Sequence, residues 1–236
     1  MLTRLDWMVA APKVVLDLGC GTGAFGVRLQ QRYPEAMLIA LDNSLPMLEA
    51  ASQVAPHRLC ADGGVLPLPD QSVDLIFANL ILPWAADMQG WLKEWRRVLR
   101  PDGILMLSMF GLDTMQELPS LCNTHPLRVD MHDAGEALVR AGFADPVLDV
   151  DYYTLTYRSQ DKLITELRDT GMLAADAKIL DPLPMTSEGL YPLTYEIIYA
   201  HAFAPQPASG FAPEEDGITR IPLSQLRQSL AKANKG

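Results

Sequence analysis

The chain has 236 residues, 49% of them apolar, and a formal charge of −10 at pH 7; that length allows one well-cored domain plus an appendage. The acidic balance weighs against general nucleic-acid binding, which needs basic surface to displace counterions, and no segment offers the ~18 continuous apolar residues of a membrane span. Cys20, Cys60 and Cys122 show no metal-ligand spacing and, with the absence of a signal-peptide pattern around Arg4 and Asp6, suit a reducing cytoplasm. No metal is expected.

Apolar runs alternate with helical patterns in the β-α-β manner of a parallel sheet. Residues 14–18 read as a first strand and 24–32 as a helix; 36–41 read as a second strand, after which Ser44 caps a helix to about 53. Strands follow at 57–60 and 73–78, then a helix at 88–99 with a broad apolar face. Pro101-Asp102-Gly103 reads as a turn before a fifth strand at 104–109. A helix over 133–141 ends near Gly142. Residues 147–157 then read as a long strand, 161–169 as a helix and 194–203 as a strand, so the sheet is expected to finish with an antiparallel pair. The expected domain covers 1–204. Residues 205–236 read as a Pro-, Gly- and acid-containing linker followed by a basic tail (Arg220, Arg227, Lys232, Lys235), frayed or weakly docked.

The segment Asp17-Leu18-Gly19-Cys20-Gly21-Thr22-Gly23 joins the first strand to the first helix. Its glycines let backbone approach a ligand closely, and a helix start offers unpaired N–H donors. Gly19, Gly21 and Ala24 formally satisfy a dinucleotide fingerprint, with Asp42 at its expected distance. Asp17 separates the two readings: an anion there opposes a pyrophosphate and suits a ligand with an ammonium group and no phosphate. S-adenosylmethionine is such a ligand.

Ligands of open α/β sheets sit at the carboxyl ends of strands near the switch in strand order. Asp42 ends the second strand, where its carboxylate can accept both ribose hydroxyls; Asn43 can add a backbone contact and Met47 can pack on the adenine, or simply be core. Ala61-Asp62-Gly63 follows the third strand and can address the adenine edge. Asn79-Leu80 follows the fourth, where methyl group and acceptor would meet. The strand does not end in an Asn-Pro-Pro-Tyr type of signature, which argues against methylation of an amide or exocyclic amine.

Taken in order, residues 17–23, Asp42 with Met47, 60–62, 73–82 and 97–109 resemble the successive motifs of class I S-adenosylmethionine-dependent methyltransferases. The fold this implies is α/β and Rossmann-like, a mostly parallel sheet ending in an antiparallel strand pair. Residues 79–84, 110–114, 129–133, 141–146, 155–157 and 191–201 are similar to the biotin-synthesis malonyl-acyl-carrier-protein methyltransferase family. That resemblance implies O-methylation of a carboxylate, on an acyl-carrier protein or a small acyl substrate. The same group contains complex I assembly factors associated with protein hydroxylation, so a non-methylating relative, or a binding module without turnover, is the alternative. Family members usually carry a longer N-terminal helical lid than the 11 residues before Pro12.

A carboxylate acceptor needs no strong base; it needs orientation, and a cation or hydrogen-bond donor that places it without quenching it. Arg128, His132, Tyr152, Tyr153 and Arg158 are candidates, with Trp84 as a pocket wall. Each has a plain structural alternative: surface charge, helix start, half-buried strand or core. Lys93, Arg96, Arg97 and Arg100 could face an acidic carrier, although their spacing does not put them on one helix face.

Overall fold

The computed structural model describes residues 1–8, 10–118, 127–174 and 183–206. Met1–Pro205 form one compact unit; the tail from residue 207 onward and Cys122 lie outside the described residues.

Seven strands form one sheet in the order β3-β2-β1-β4-β5-β7-β6. They are β1 (Val14–Leu18), β2 (Met37–Asp42), β3 (His57–Cys60), β4 (Val73–Asn79), β5 (Leu99–Phe110), β6 (Ala144–Tyr157) and β7 (Tyr191–Phe203). The first five run parallel, and β7 lies antiparallel between β5 and β6. The order reverses at β1, flanked by β2 and β4, which opens a crevice at their carboxyl ends. Helices α1 (Gly26–Arg32), α2 (Leu45–Ala50), α3 (Met88–Val98), α4 (Met131–Arg140) and α5 (Gln160–Asp169) complete the order.

Central strands are apolar on both faces because both faces are covered. On one, Leu92 and Trp95 of α3 and Leu138 of α4 pack against Leu16, Ile76 and Leu105. On the other, Leu29 of α1 and Leu5 of an N-terminal 3-10 turn (Leu2–Trp7) cover Val15, Phe77 and Met106. Leu163 and Leu167 of α5 cover Leu193 and Ile197 of β7. Among the described residues, no helix is long and apolar enough to cross a membrane.

Local differences from the expected elements have identifiable causes. The 101–103 turn is absorbed into β5 as an irregularity, with Asp102 at φ +62°. Its backbone bonds the chain leaving β7: Asp102 N–H donates to the Ala204 carbonyl and Ala204 N–H to that of Gly103, both at 2.8 Å. Ser44 stands at the start of α2, but its side chain makes no capping bond; the second helical residue is Pro46, which has no N–H to offer. α1 starts two residues late because Gly21 and Gly23 take positive φ before it.

Candidate functional site

The crevice is a cavity of about 260 Å³ lined by Gly19, Leu41, Asp42, Asn43, Ala61, Asp62, Gly63, Asn79, Leu80, Ile81, Trp84 and Trp91. Four strand ends build it. Gly19 and Cys20 donate N–H bonds to the Leu41 carbonyl (2.8 and 3.0 Å), tying the glycine turn to the end of β2. Asp42 reinforces this, accepting from Gly21 N–H through Oδ2 and from Ser44 N–H through Oδ1, both at 2.9 Å. Each carboxylate oxygen keeps a lone pair for a hydroxyl.

The three turn glycines serve different ends. At Gly19 a side chain would strike Ile81, with Cβ 2.7 Å from its Cδ1, and at Gly23 it would strike Val54 at 2.5 Å. Gly21 faces open space. Cys20 is buried, and desolvation followed by the charges of Asp17 and Asp42 pushes its thiol up to about 12. That places it among packing residues, not nucleophiles.

Asp17 does not line the cavity. It is 2% exposed, and among the described residues its Oδ2 has no hydrogen-bond partner. Burial, then the charge of Asp42, pushes its pKa up to about 7. A buried carboxylate oxygen without a partner fits a cationic ligand whose charge would favour the ionised form.

The third wall is the Asp62 loop. Asp62 Oδ1 accepts Gly64 N–H at 2.7 Å, and the buried Trp95 indole donates to the Gly63 carbonyl at 2.7 Å. Trp91 packs so closely that a Cβ on Gly63 would lie 2.8 Å from its ring. Arg97 closes the loop's far end, donating to the Leu66 and Leu68 carbonyls and to Glu94 and Asp70. Trp91 and Ile81 are wall residues that sequence reading missed, Trp91 because α3 reads as a core helix; its signal was Gly63-Gly64, a pair of missing side chains needing a large neighbour. Met47 is 44% exposed on α2 and does not line the cavity.

Of the acceptor-side candidates, Trp84 lines the crevice, and the other five do not. Arg128 donates to the Leu112 and Thr114 carbonyls (3.3 and 3.0 Å), holding the segment after β5. Tyr152 reaches Asp113 at 3.4 Å in the same segment, and Tyr153 bonds Asp151 and Tyr199. His132 sits in the first turn of α4, its ring 3.1 Å from Asp130, on a separate groove between α4 and β6. Arg158 is exposed after the end of β6. The basic residues of α3 and its exit are also engaged internally: Arg96 with the Gly142 and Pro205 carbonyls, Arg97 as above, Arg100 with Asp74. Lys93 is exposed.

Residues 16–107 match the family described as "Methyltransferase domain". With the reversed strand order and the glycine turn at the end of β1, the protein is a class I S-adenosylmethionine-dependent methyltransferase. It is 39% identical over 237 residues to the malonyl-[acyl-carrier protein] O-methyltransferase of Methylovorus sp. (strain MP688), covering 87% of this chain and 80% of that one. It is 36% identical over 246 residues to malonyl-[acyl-carrier protein] O-methyltransferase 1 of Coxiella burnetii, covering 96% and 86%. The chain belongs to the malonyl-[acyl-carrier protein] O-methyltransferase family. The fold also matches a solved Bacillus halodurans protein (TM-score 0.67, 16% identity, 87% of this chain and 99% of that one). Another match is Haemonchus contortus phosphoethanolamine N-methyltransferase 2, solved with S-adenosyl-L-methionine (TM-score 0.59, 16% identity, 87% and 51%).

Proposed function

We propose that this enzyme methylates the free carboxylate of a malonyl group carried on acyl-carrier protein, as a step of biotin synthesis in the cytoplasm. The observation that carries the reading is the 39% identity to a malonyl-[acyl-carrier protein] O-methyltransferase along 87% of the chain. The crevice supports it with a donor site and a mouth beside Asn79 and Trp84.

Bound S-adenosylmethionine supplies a methyl group on a positively charged sulfur. In this reading Asp42 accepts the ribose hydroxyls, and Asn43 adds a contact beside it. Asp62, with Ala61 and Gly63, meets the adenine edge. Gly19, Gly21 and Gly23 let the backbone close on the amino-acid end, with Cys20 packed beneath and the charge of Asp17 complementing the ammonium group. Met47, exposed on α2, is left a minor role at the adenine. Leu80 and Trp84 border the mouth where the acceptor enters.

The acceptor is already an anion, so no residue has to remove a proton. What the protein supplies is alignment, which is worth up to ~7–11 kcal/mol when reacting groups are held in line. Apolar walls such as Trp84, Ile81 and Leu80 would also displace water that blunts the carboxylate once the acceptor is seated. Incubation with radiolabelled methyl donor and malonyl-acyl-carrier protein should give a base-labile ester, with free malonate labelled far more slowly. Binding of the donor without transfer to either acid would overturn the proposal.

A further inference from the structure

We infer that the side-chain amide of Asn79 is the donor that holds the acceptor carboxylate, and that the buried hydroxyl of Ser108 fixes which way that amide points. The assignment rests on the carboxylate-methylation reading and names the group that positions its substrate.

β4 ends at Asn79, and the register sets Ser108 of β5 directly beside it. The Ser108 hydroxyl donates to Asn79 Oδ1 at 2.9 Å, and its oxygen accepts the Leu80 N–H at 3.1 Å. Ser108 is 0% exposed. Among the described residues its proton has no second acceptor, so reversing the amide would strand a hydroxyl hydrogen in the core. Oδ1 is therefore turned inward and Nδ2 outward, on a residue that lines the crevice. No acceptor among the described residues bonds that Nδ2.

Backbone strain sits at the same point. Leu80 has φ +54°, a left-handed conformation unusual for a leucine. Its N–H is shared between the Ser108 carbonyl at 3.2 Å and the Ser108 hydroxyl oxygen at 3.1 Å. The strand end is thus held in an unfavourable geometry by the residue that orients the amide, a pattern associated with functional sites.

Charge makes the amide the suitable donor. Asp42 and Asp62 line the same crevice and repel a carboxylate that strays toward the cofactor side. Asn43, the other amide there, follows β2, two strands away from Asn79. A neutral N–H donor fixes one carboxylate oxygen and leaves the other free to attack, without the tight pairing that a cation would impose.

The test compares wild type, Asn79→Asp and Ser108→Ala in three measurements. These are methyl-transfer kinetics on malonyl-acyl-carrier protein, calorimetric affinity for S-adenosylmethionine, and inhibition by the product methyl ester, which lacks the free acid. Asn79→Asp should lower kcat/KM roughly 100-fold, the loss expected for one preorganised donor, and Ser108→Ala roughly 10-fold. Donor affinity should not fall and ester inhibition should stay at the wild-type value, whereas a merely structural role would weaken all three together. If Asn79→Asp does not fold, Asn79→Ala replaces it in the same comparison. Undiminished turnover in the variants, or parallel loss of ester and donor binding, overturns the assignment alone. A wild type that binds the donor and makes no ester overturns the methylation reading, and this assignment with it.

Discussion

Asp42 and Gly21 are joined by a 2.9 Å hydrogen bond from the Gly21 N–H to Asp42 Oδ2, which fastens the glycine turn after β1 to the last residue of β2. The same carboxylate holds Ser44 at the start of α2. One side chain thus shapes the turn and, in the proposed function, is the acceptor for the ribose. Asp42→Ala should weaken S-adenosylmethionine binding roughly 10- to 100-fold, the range for hydrogen bonds to a charged group. Asp42→Asn keeps one acceptor oxygen and should lose less. Calorimetric titration checks the order; equal affinity in all three proteins would remove Asp42 from the site.

Asp17 supplies a pH prediction. Its folded-state pKa of about 7 lies above the ordinary 3.8, because burial and then Asp42 oppose ionisation. A raised carboxyl pKa gives stability that is fully present below about 3.8 and is lost as pH rises through about 7. Ligand-free Asp17→Asn should therefore be more stable than wild type at pH 8, by an amount that shrinks to nothing near pH 4. Donor affinity should show the converse, rising with pH through 7 in wild type and staying flat in the variant, since only the ionised form complements an ammonium. Urea melts across about pH 4 to 8 and donor titrations across about pH 5 to 8 measure the two; a stability gap independent of pH would contradict the assignment.

Trp95 offers a test of the Asp62 loop. Its ring is fully buried, and its indole N–H meets the Gly63 carbonyl at 2.7 Å. Trp95→Phe keeps most of the apolar contact and leaves that carbonyl without its donor. Stability should fall by about 1–3 kcal/mol, and donor affinity should fall with it because the freed loop no longer presents Asp62. Trp91→Phe, which retains a ring against Gly63, should disturb binding less. Chemical denaturation and calorimetry on the two variants separate these outcomes.

The strands and the crevice were legible because both depend on local signals. Apolar runs such as 14–18 and 73–78 mark buried strands, and polar residues at their ends (Asp42, Asp62, Asn79) mark the mouth. What could not be read were relations set by register and by packing between distant segments. Arg128 and Tyr152 read either as acceptor-positioning groups or as plain surface and strand residues, and their bonds to the segment after β5, at Leu112, Thr114 and Asp113, come from the fold and not from local sequence. Ser108 reads as an ordinary strand serine; its importance comes from lying beside Asn79 across a parallel ladder. Trp91 reads as core until the loop bearing Gly63 is folded against it.

The turn glycines give the last prediction, because their sequence context is uniform and their surroundings are not. All three have positive φ: Gly19 at +71°, Gly21 at +52° and Gly23 at +84°. Gly21→Ala adds a methyl where nothing lies within 4 Å, so the folded protein should bear only the backbone penalty, about 1–2 kcal/mol. Gly23→Ala adds a methyl 2.5 Å from Val54 and 3.1 Å from Ala51, so overpacking of about 1–3 kcal/mol joins the backbone term. Thermal melts should rank Gly23→Ala as the less stable protein. Donor titration should show the larger fractional loss for Gly21→Ala once each is compared at a temperature where it is fully folded, since its methyl enters open space at the turn. Equal stability of the two variants would mean that the turn relaxes around Val54, and that Gly23 is not required for packing.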